Sequence, residues 1–211
     1  DVCSSDLYIQ ILLIKYFILM LTMNKITIKN IFGHLKTILI HKYWVFYYCC
    51  KFRIPWQGIT HDLSKLSPTE FWESVKYYQG GKKSPIPVIK KKNGYSEAWQ
   101  HHKGRNKHHY EYWYDYAAPE VTPIIPFKYF LEMVCDSFAA GMTYQGKKWD
   151  QHYQLKYWNK VKEKSKLHPA MEKLLDRVYS EVDKQGLDKV LNKKYLKELY
   201  KEYTEDANRK K

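Results

Sequence analysis

Apolar positions in this chain recur at steps of three and four rather than two, a spacing that predicts helices from end to end. Residues 27–52 read as a first long helix, with Ile31, His34, Ile38, His41 and Val45 on one face. Two imidazoles on that otherwise apolar stripe need partners, because burying an unpaired polar group is costly. Pro55 and Gly58 mark a turn, and a short helix then carries Ile59, His61, Asp62 and Leu63. Ser67-Pro68-Thr69-Glu70 starts another helix, running to Gln79. Ser67 caps it, Pro68 suits the first helical position, and Glu70 completes a capping box, with a reach to the residues around His61 as the alternative. The glycines and prolines of 80–94 predict a loop, whose Lys90, Lys91 and Lys92 suit a solvated connector or an anion-attracting flap.

Ser96 caps a predicted helix over 96–114. Trp99, His102, Asn106, His109 and Trp113 form one stripe of it, and His101, Arg105, His108 and Tyr112 the next, with Gly104 weakening the middle. Three prolines make 117–126 a loop. Phe130, Met133, Val134, Ser137 and Phe138 define the buried stripe of a helix over 127–142, with Asp136 at its border. Helices over 149–165, from Pro169 to Gly186 (Met171, Leu174, Leu175, Val178, Val182), and through Tyr195–Tyr203 complete the chain. Strand alternation, internal repeats and long heptad runs are absent from the sequence, so the fold class is all-α.

Composition changes this picture in three places. The net charge of +14 favours anionic partners, nucleic acid among them. The adjacent Cys49 and Cys50 and the apolar setting of Cys135 argue for reduced thiols, and hence a cytoplasmic protein, rather than a disulfide framework. Residues 1–22 read as a non-native, adapter-like extension, with Met23 as the better start. The apolar run from Leu7 to Leu21 is interrupted by Gln10 and Lys15 and is shorter than the roughly 20 residues a span requires. It also has no small-residue cleavage site, so no membrane segment is expected.

The candidate chemistry lies in His41, His61-Asp62, His101-His102, His108-His109 and Asp136. Imidazoles together with carboxylates suit a divalent transition metal: Mn, Fe, Ni, Co or Zn. The order of these residues resembles the HD-domain superfamily of metal-dependent phosphohydrolases, and His61-Asp62-Leu63-Ser64-Lys65 resembles its HD-x-x-K form. The run from Thr60 to Phe71, containing HDLSK and SPTEF, also resembles a bacterial and phage family of unknown function, over about 30–170.

The superfamily resemblance implies an HD-like helical domain over 23–146, with the C-terminal helices of 147–211 packed on it. It implies one ion held by His41, His61, Asp62 and Asp136, with Asp62 placed to bridge to a second. His102 and His109 are then the natural ligands of the second ion, and His34, His101 and His108 are alternative ligands or outer partners. Asp62, Lys65 and Arg105 take the catalytic roles, the two cations neutralising phosphate oxygens. The paired histidines are spaced more tightly than in better-known two-ion members, which leaves one ion or two. The reaction implied is hydrolysis of a small anionic phosphoester, such as a nucleotide, by a metal-activated water. The alternatives are a diiron oxygenase on the same scaffold and a basic helical nucleic-acid-binding or structural protein without catalysis. The oligomeric state is open.

Overall fold

The computed structural model describes residues 9–12, 14–15, 26–118 and 121–209, with side chains to 205. The reading of residues 1–22 as an extension falls mostly on positions outside the described residues. Among the described residues there are helices and no strands, so the chain is an all-α bundle. No described helix is long and apolar enough to cross a membrane.

Helix α1 (Ile28–Lys51) starts at Thr27, whose hydroxyl accepts the Asn30 N–H at 3.1 Å. It buries His34, Ile38, His41, Val45, Tyr48 and Cys49, extending the predicted stripe by a turn. Helix α2 (Pro55–Thr60) folds back against it. This approach requires glycine at position 58, because a Cβ there would lie 2.9 Å from the Cβ of Cys49 and from the Cα of Phe46. The Lys42 ammonium then donates to the carbonyls of Ile59 (2.6 Å) and His61 (3.0 Å), satisfying the end of α2 and pinning it one residue from His41. A 3-10 turn (Leu63–Leu66) leads into α3 (Pro68–Lys76).

Two predicted elements change. The segment 80–94 is not a loop throughout, because Ile86–Asn93 forms helix α4. Pro87 sits in the first turn, where a missing N–H costs nothing. Ile89 is fully buried, and Gly94, at φ 79°, ends the helix in the left-handed conformation. Lys90 lies 4.6 Å from the centre of the Trp99 ring, so it packs rather than standing free on a flap. The helix expected over 96–114 is only α5 (Glu97–Lys103), capped as predicted by Ser96 accepting from the Trp99 N–H. It stops at Gly104. The Asn106 amide then donates to the His102 carbonyl (2.8 Å) and to Ser64 Oγ (2.9 Å), offering the backbone a partner other than the next helical turn.

Helix α6 (Phe127–Gln145) packs along α1 and supplies Phe130, Leu131, Val134, Cys135 and Phe138 to the core. Helices α7 (Tyr153–Val161), α8 (Pro169–Gln185), α9 (Leu187–Val190) and α10 (Lys193–Arg209) follow. Helix α7 starts later than predicted because Asp150 caps the N–H groups of His152 and Tyr153, both at 3.0 Å. The stripe of α8 is buried as expected, against α7, α9 and α10. Cys49 and Cys135 are buried free thiols, and Cys50 is an exposed one.

Candidate metal centre

His41 reaches the α1–α6 cleft because it lies on the buried stripe of α1, and Asp136 enters from α6 opposite. Their contact, Nε2 to Oδ1, is 3.0 Å. His61 and Asp62 arrive from the end of α2. Successive residues of a continuous helix point about 100° apart. Here Asp62 adopts the left-handed conformation (φ 54°, ψ 25°), and the two side chains converge, with His61 Nε2 3.2 Å from Asp62 Oδ2. Such a conformation costs a non-glycine residue on the order of 1–3 kcal/mol, although aspartate is among those that tolerate it.

The remaining donors come from the irregular chain after α5. His102 Nε2 and His108 Nε2 lie 3.3 and 3.4 Å from Asp62 Oδ1, and His109 Nε2 is 2.9 Å from His102 Nε2. His102 and His109 meet without sharing a helix face, because the turn at Gly104 brings them together. The expected pair, His102 and His109, both lie in this group, joined by His108 from the other i, i+7 pair, while His101 stays outside it.

Two quartets result: His41, His61, Asp62 and Asp136, and Asp62, His102, His108 and His109. Asp62 is common to both. Its Oδ2 faces the first set and its Oδ1 the second. Both oxygens are buried without an aligned hydrogen bond, as is His108 Nε2. The Lys65 ammonium makes an ion-pair contact of 2.6 Å with Oδ2, but not along a hydrogen-bond direction. Buried polar atoms are rarely left unmatched in a native protein, and such atoms call for an ion or water as partner. Nitrogen and carboxylate donors in this proportion suit a transition ion, so the residues present fit one.

The outward-facing ring nitrogens are also held. Glu132 Oε1 accepts from His61 Nδ1 (3.0 Å) and lies 3.1 Å from His108 Nδ1 in an ion-pair contact, and Glu70 Oε2 accepts from His102 Nδ1 (2.8 Å). A carboxylate on the far nitrogen orients a ligating imidazole and fixes its tautomer. His61, His108 and Glu132 could themselves form a cation group, but the contacts of Glu132 with the two rings already account for that arrangement. Glu70 thus departs from its predicted capping role. Ser67 does accept the Glu70 N–H (3.4 Å), but the Ser67 N–H bonds the Ser64 carbonyl, and the Glu70 carboxylate turns inward to His101 and His102.

Burial opposes charge throughout this cluster. Nevertheless the surrounding histidines, with Lys65 at Asp62, keep the carboxyls of Asp62, Asp136 and Glu132 below the usual carboxylate range. Burial likewise opposes the His61 imidazolium, yet Asp62, Asp136 and Glu132 hold it well above the ordinary histidine value. At His109, burial and then the neighbouring His108 drive the pKa well down, favouring a neutral ring with a free lone pair. Asp136 and His109 are the partly exposed members of the quartets, so the cluster opens on their side.

Three anticipated residues stand apart from these quartets. His101 pairs with Glu70 (2.6 Å). Arg105 is exposed, its guanidinium 3.4 Å from the His101 carbonyl. His34 is buried against Phe71 and Tyr78. Its burial, aided by the charge of Lys65, lowers its pKa to about 4. Between this value and the unfolded value of about 6.5, the unfolded chain binds the additional proton. Stability from His34 is therefore present above pH ~6.5 and is lost as pH falls toward ~4, by up to about 3 kcal/mol. Denaturant unfolding from pH 7 to 4 should show wild type losing that much relative to His34→Leu. Parallel pH profiles would show that His34 does not carry this effect.

A family model described as a family of unknown function (DUF5662) matches residues 30–181, a span that contains both quartets, Glu70 and Glu132. No curated protein and no solved structure matches the chain.

Proposed function

We propose that this chain, which belongs to the family of unknown function DUF5662, is a metal-dependent phosphohydrolase of the HD type acting on a small phosphoester such as a nucleotide. The observation that carries the reading is the single buried carboxylate of Asp62, with each oxygen turned to a different set of imidazoles and neither in an aligned hydrogen bond. His41, His61, Asp62 and Asp136 would hold one ion, and Asp62, His102, His108 and His109 a second. Mn, Fe, Ni, Co and Zn all suit these donors. An ion bound there supplies Lewis acidity and brings the pKa of water toward about 7.

The chain's own residues do the rest. Glu132 and Glu70 keep the Nε2 atoms of His61, His108 and His102 aimed inward. Lys65, whose side chain is 30% exposed beside Asp62, would be the cation that meets a phosphate oxygen. Arg105, on the surface, would reach a substrate only by leaving the His101 carbonyl, so Lys65 is the stronger candidate of the two. Free thiols at Cys49, Cys50 and Cys135 suit work in the cytoplasm.

The test is elemental analysis of the purified protein, then a phosphatase screen over nucleotides with Mn, Fe, Ni, Co, Zn and Mg. Wild type should carry a transition ion and release phosphate, and His61→Ala should lose both. A protein without transition metal, whose unfolding ignores chelator, defeats the proposal. Iron together with substrate-dependent oxygen uptake would instead identify an oxygenase. Nucleic-acid binding that survives chelation and falls steeply with salt would identify a binding module.

A further inference from the structure

Helix α1 is apolar on both sides. Opposite its buried stripe, Ile28, Phe32, Leu35, Leu39, Tyr43 and Phe46 recur at steps of three and four along one line. Phe32 is 67% exposed and Tyr43 62%, far more than core-facing residues of a helix allow. The line continues onto α2, where Ile59 and Trp56 (69%) are exposed, and the Lys42 bond to the Ile59 carbonyl holds the two helices together at that end. An apolar surface of this extent on one face marks a place where something binds.

Charge identifies what binds. Between Met23 and His61 the chain has no Asp or Glu. Lys29 and Lys36 rise from within the outer face of α1. A helix with a continuous apolar line, interleaved aromatics and only positive charge is suited to lie in the interface of an anionic bilayer, with lysine stems along the hydrocarbon and ammonium groups among the phosphates. A second copy of the chain fits less well, since it would oppose lysines to lysines with no acid on either helix. Nucleic acid fits less well too, because Ile28, Leu35 and Leu39 offer it neither charge nor a stacking surface.

We propose that the outer face of α1, extended by α2, seats this protein on the surface of an anionic lipid bilayer without crossing it. Surface seating is compatible with the expectation of no membrane segment, since no described helix is long and apolar enough to cross a membrane. The proposal is independent of the metal centre, which faces the other side of α1.

The test is co-sedimentation of the full chain with vesicles of phosphatidylcholine, alone or mixed with phosphatidylserine. The substitutions Phe32→Asp with Leu39→Asp, and separately Lys29→Glu with Lys36→Glu, lie on the solvent face, and circular dichroism confirms that each variant folds. Wild type should bind the mixed vesicles at least about tenfold more tightly than neutral ones. The lysine variant should lose that preference, and the aspartate variant should lose binding to both. The apolar run of 7–21 is present in every protein compared, so the differences report on α1. Wild type remaining in the supernatant, or an aspartate variant that still sediments, overturns the proposal. A lipid-free dimer that the aspartate variant dissolves overturns it in favour of a second copy. RNA that displaces wild type from vesicles overturns it in favour of nucleic acid.

Discussion

Asp62→Asn is expected to weaken both ion positions at once, lowering affinity for Mn or Zn by more than about 100-fold, the upper end of what losing an outer partner alone costs. The size follows from position. Asp62 alone belongs to both quartets, with His61 Nε2 3.2 Å from one oxygen and His102 Nε2 3.3 Å from the other. Asparagine keeps the shape and tolerates the left-handed backbone, so the substitution removes charge and little else. Unfolding with and without ion gives a readout that does not depend on turnover. At a free-ion concentration 100 times the wild-type Kd, binding at each position adds about 2.7 kcal/mol to stability, and a variant 100-fold weaker keeps about 0.4 kcal/mol at each. In chelator the variant should also be less stable than wild type, because Lys65 and His61 lose the carboxylate that offsets their burial. Asp62→Asn retaining both its ion and the full ion-dependent gain would rule out a shared carboxylate.

Much of the arrangement is legible from periodicity. The apolar stripes of α1, α6 and α8 define the buried faces of the bundle and carry His41 on one of them, whereas Asp136 stands only at the border of another, where spacing leaves its direction open. The HD pair marks the third arm. What periodicity does not reveal is set by single residues that interrupt it. The left-handed Asp62 turns two neighbouring side chains inward, which no helical spacing anticipates. Asn106 and Gly104 end α5 early, so His108 and His109 both enter the cluster although a continuous helix would separate them by about 100°. Helix α4 is hidden by its prolines, since Pro87 reads as a breaker until its place in the first turn is known. Glu132 could be found in the sequence, as an acid four residues before Asp136 and hence one turn away on the same helix, next to the apolar stripe. For Glu70 the sequence allows this role as one of two but does not decide it, because the Ser-Pro-Thr-Glu context satisfies a cap equally well.

Glu132→Gln tests whether the two ion positions are mechanically one. A single oxygen, Oε1, accepts from His61 Nδ1, which belongs to the first quartet, and makes a 3.1 Å ion-pair contact with His108 Nδ1, which belongs to the second. Glutamine retains a carbonyl oxygen that can accept, but it loses the charge that makes both rings better donors to a cation. Affinity should therefore fall 10- to 100-fold at both positions together, about 1.4–2.7 kcal/mol at each. Glu70→Gln is the matched control, since Glu70 holds only His102 among the quartet members. Its effect should fall on the second position and leave the first within about twofold. Calorimetric titration of Mn into metal-free protein separates the cases: both steps of the isotherm weaken in the first variant, and one step weakens in the second. If Glu132→Gln weakens a single step, His61 and His108 are oriented by packing rather than by their common carboxylate. If it weakens neither, Glu132 is a buried acid satisfied by two histidines with no bearing on the ions.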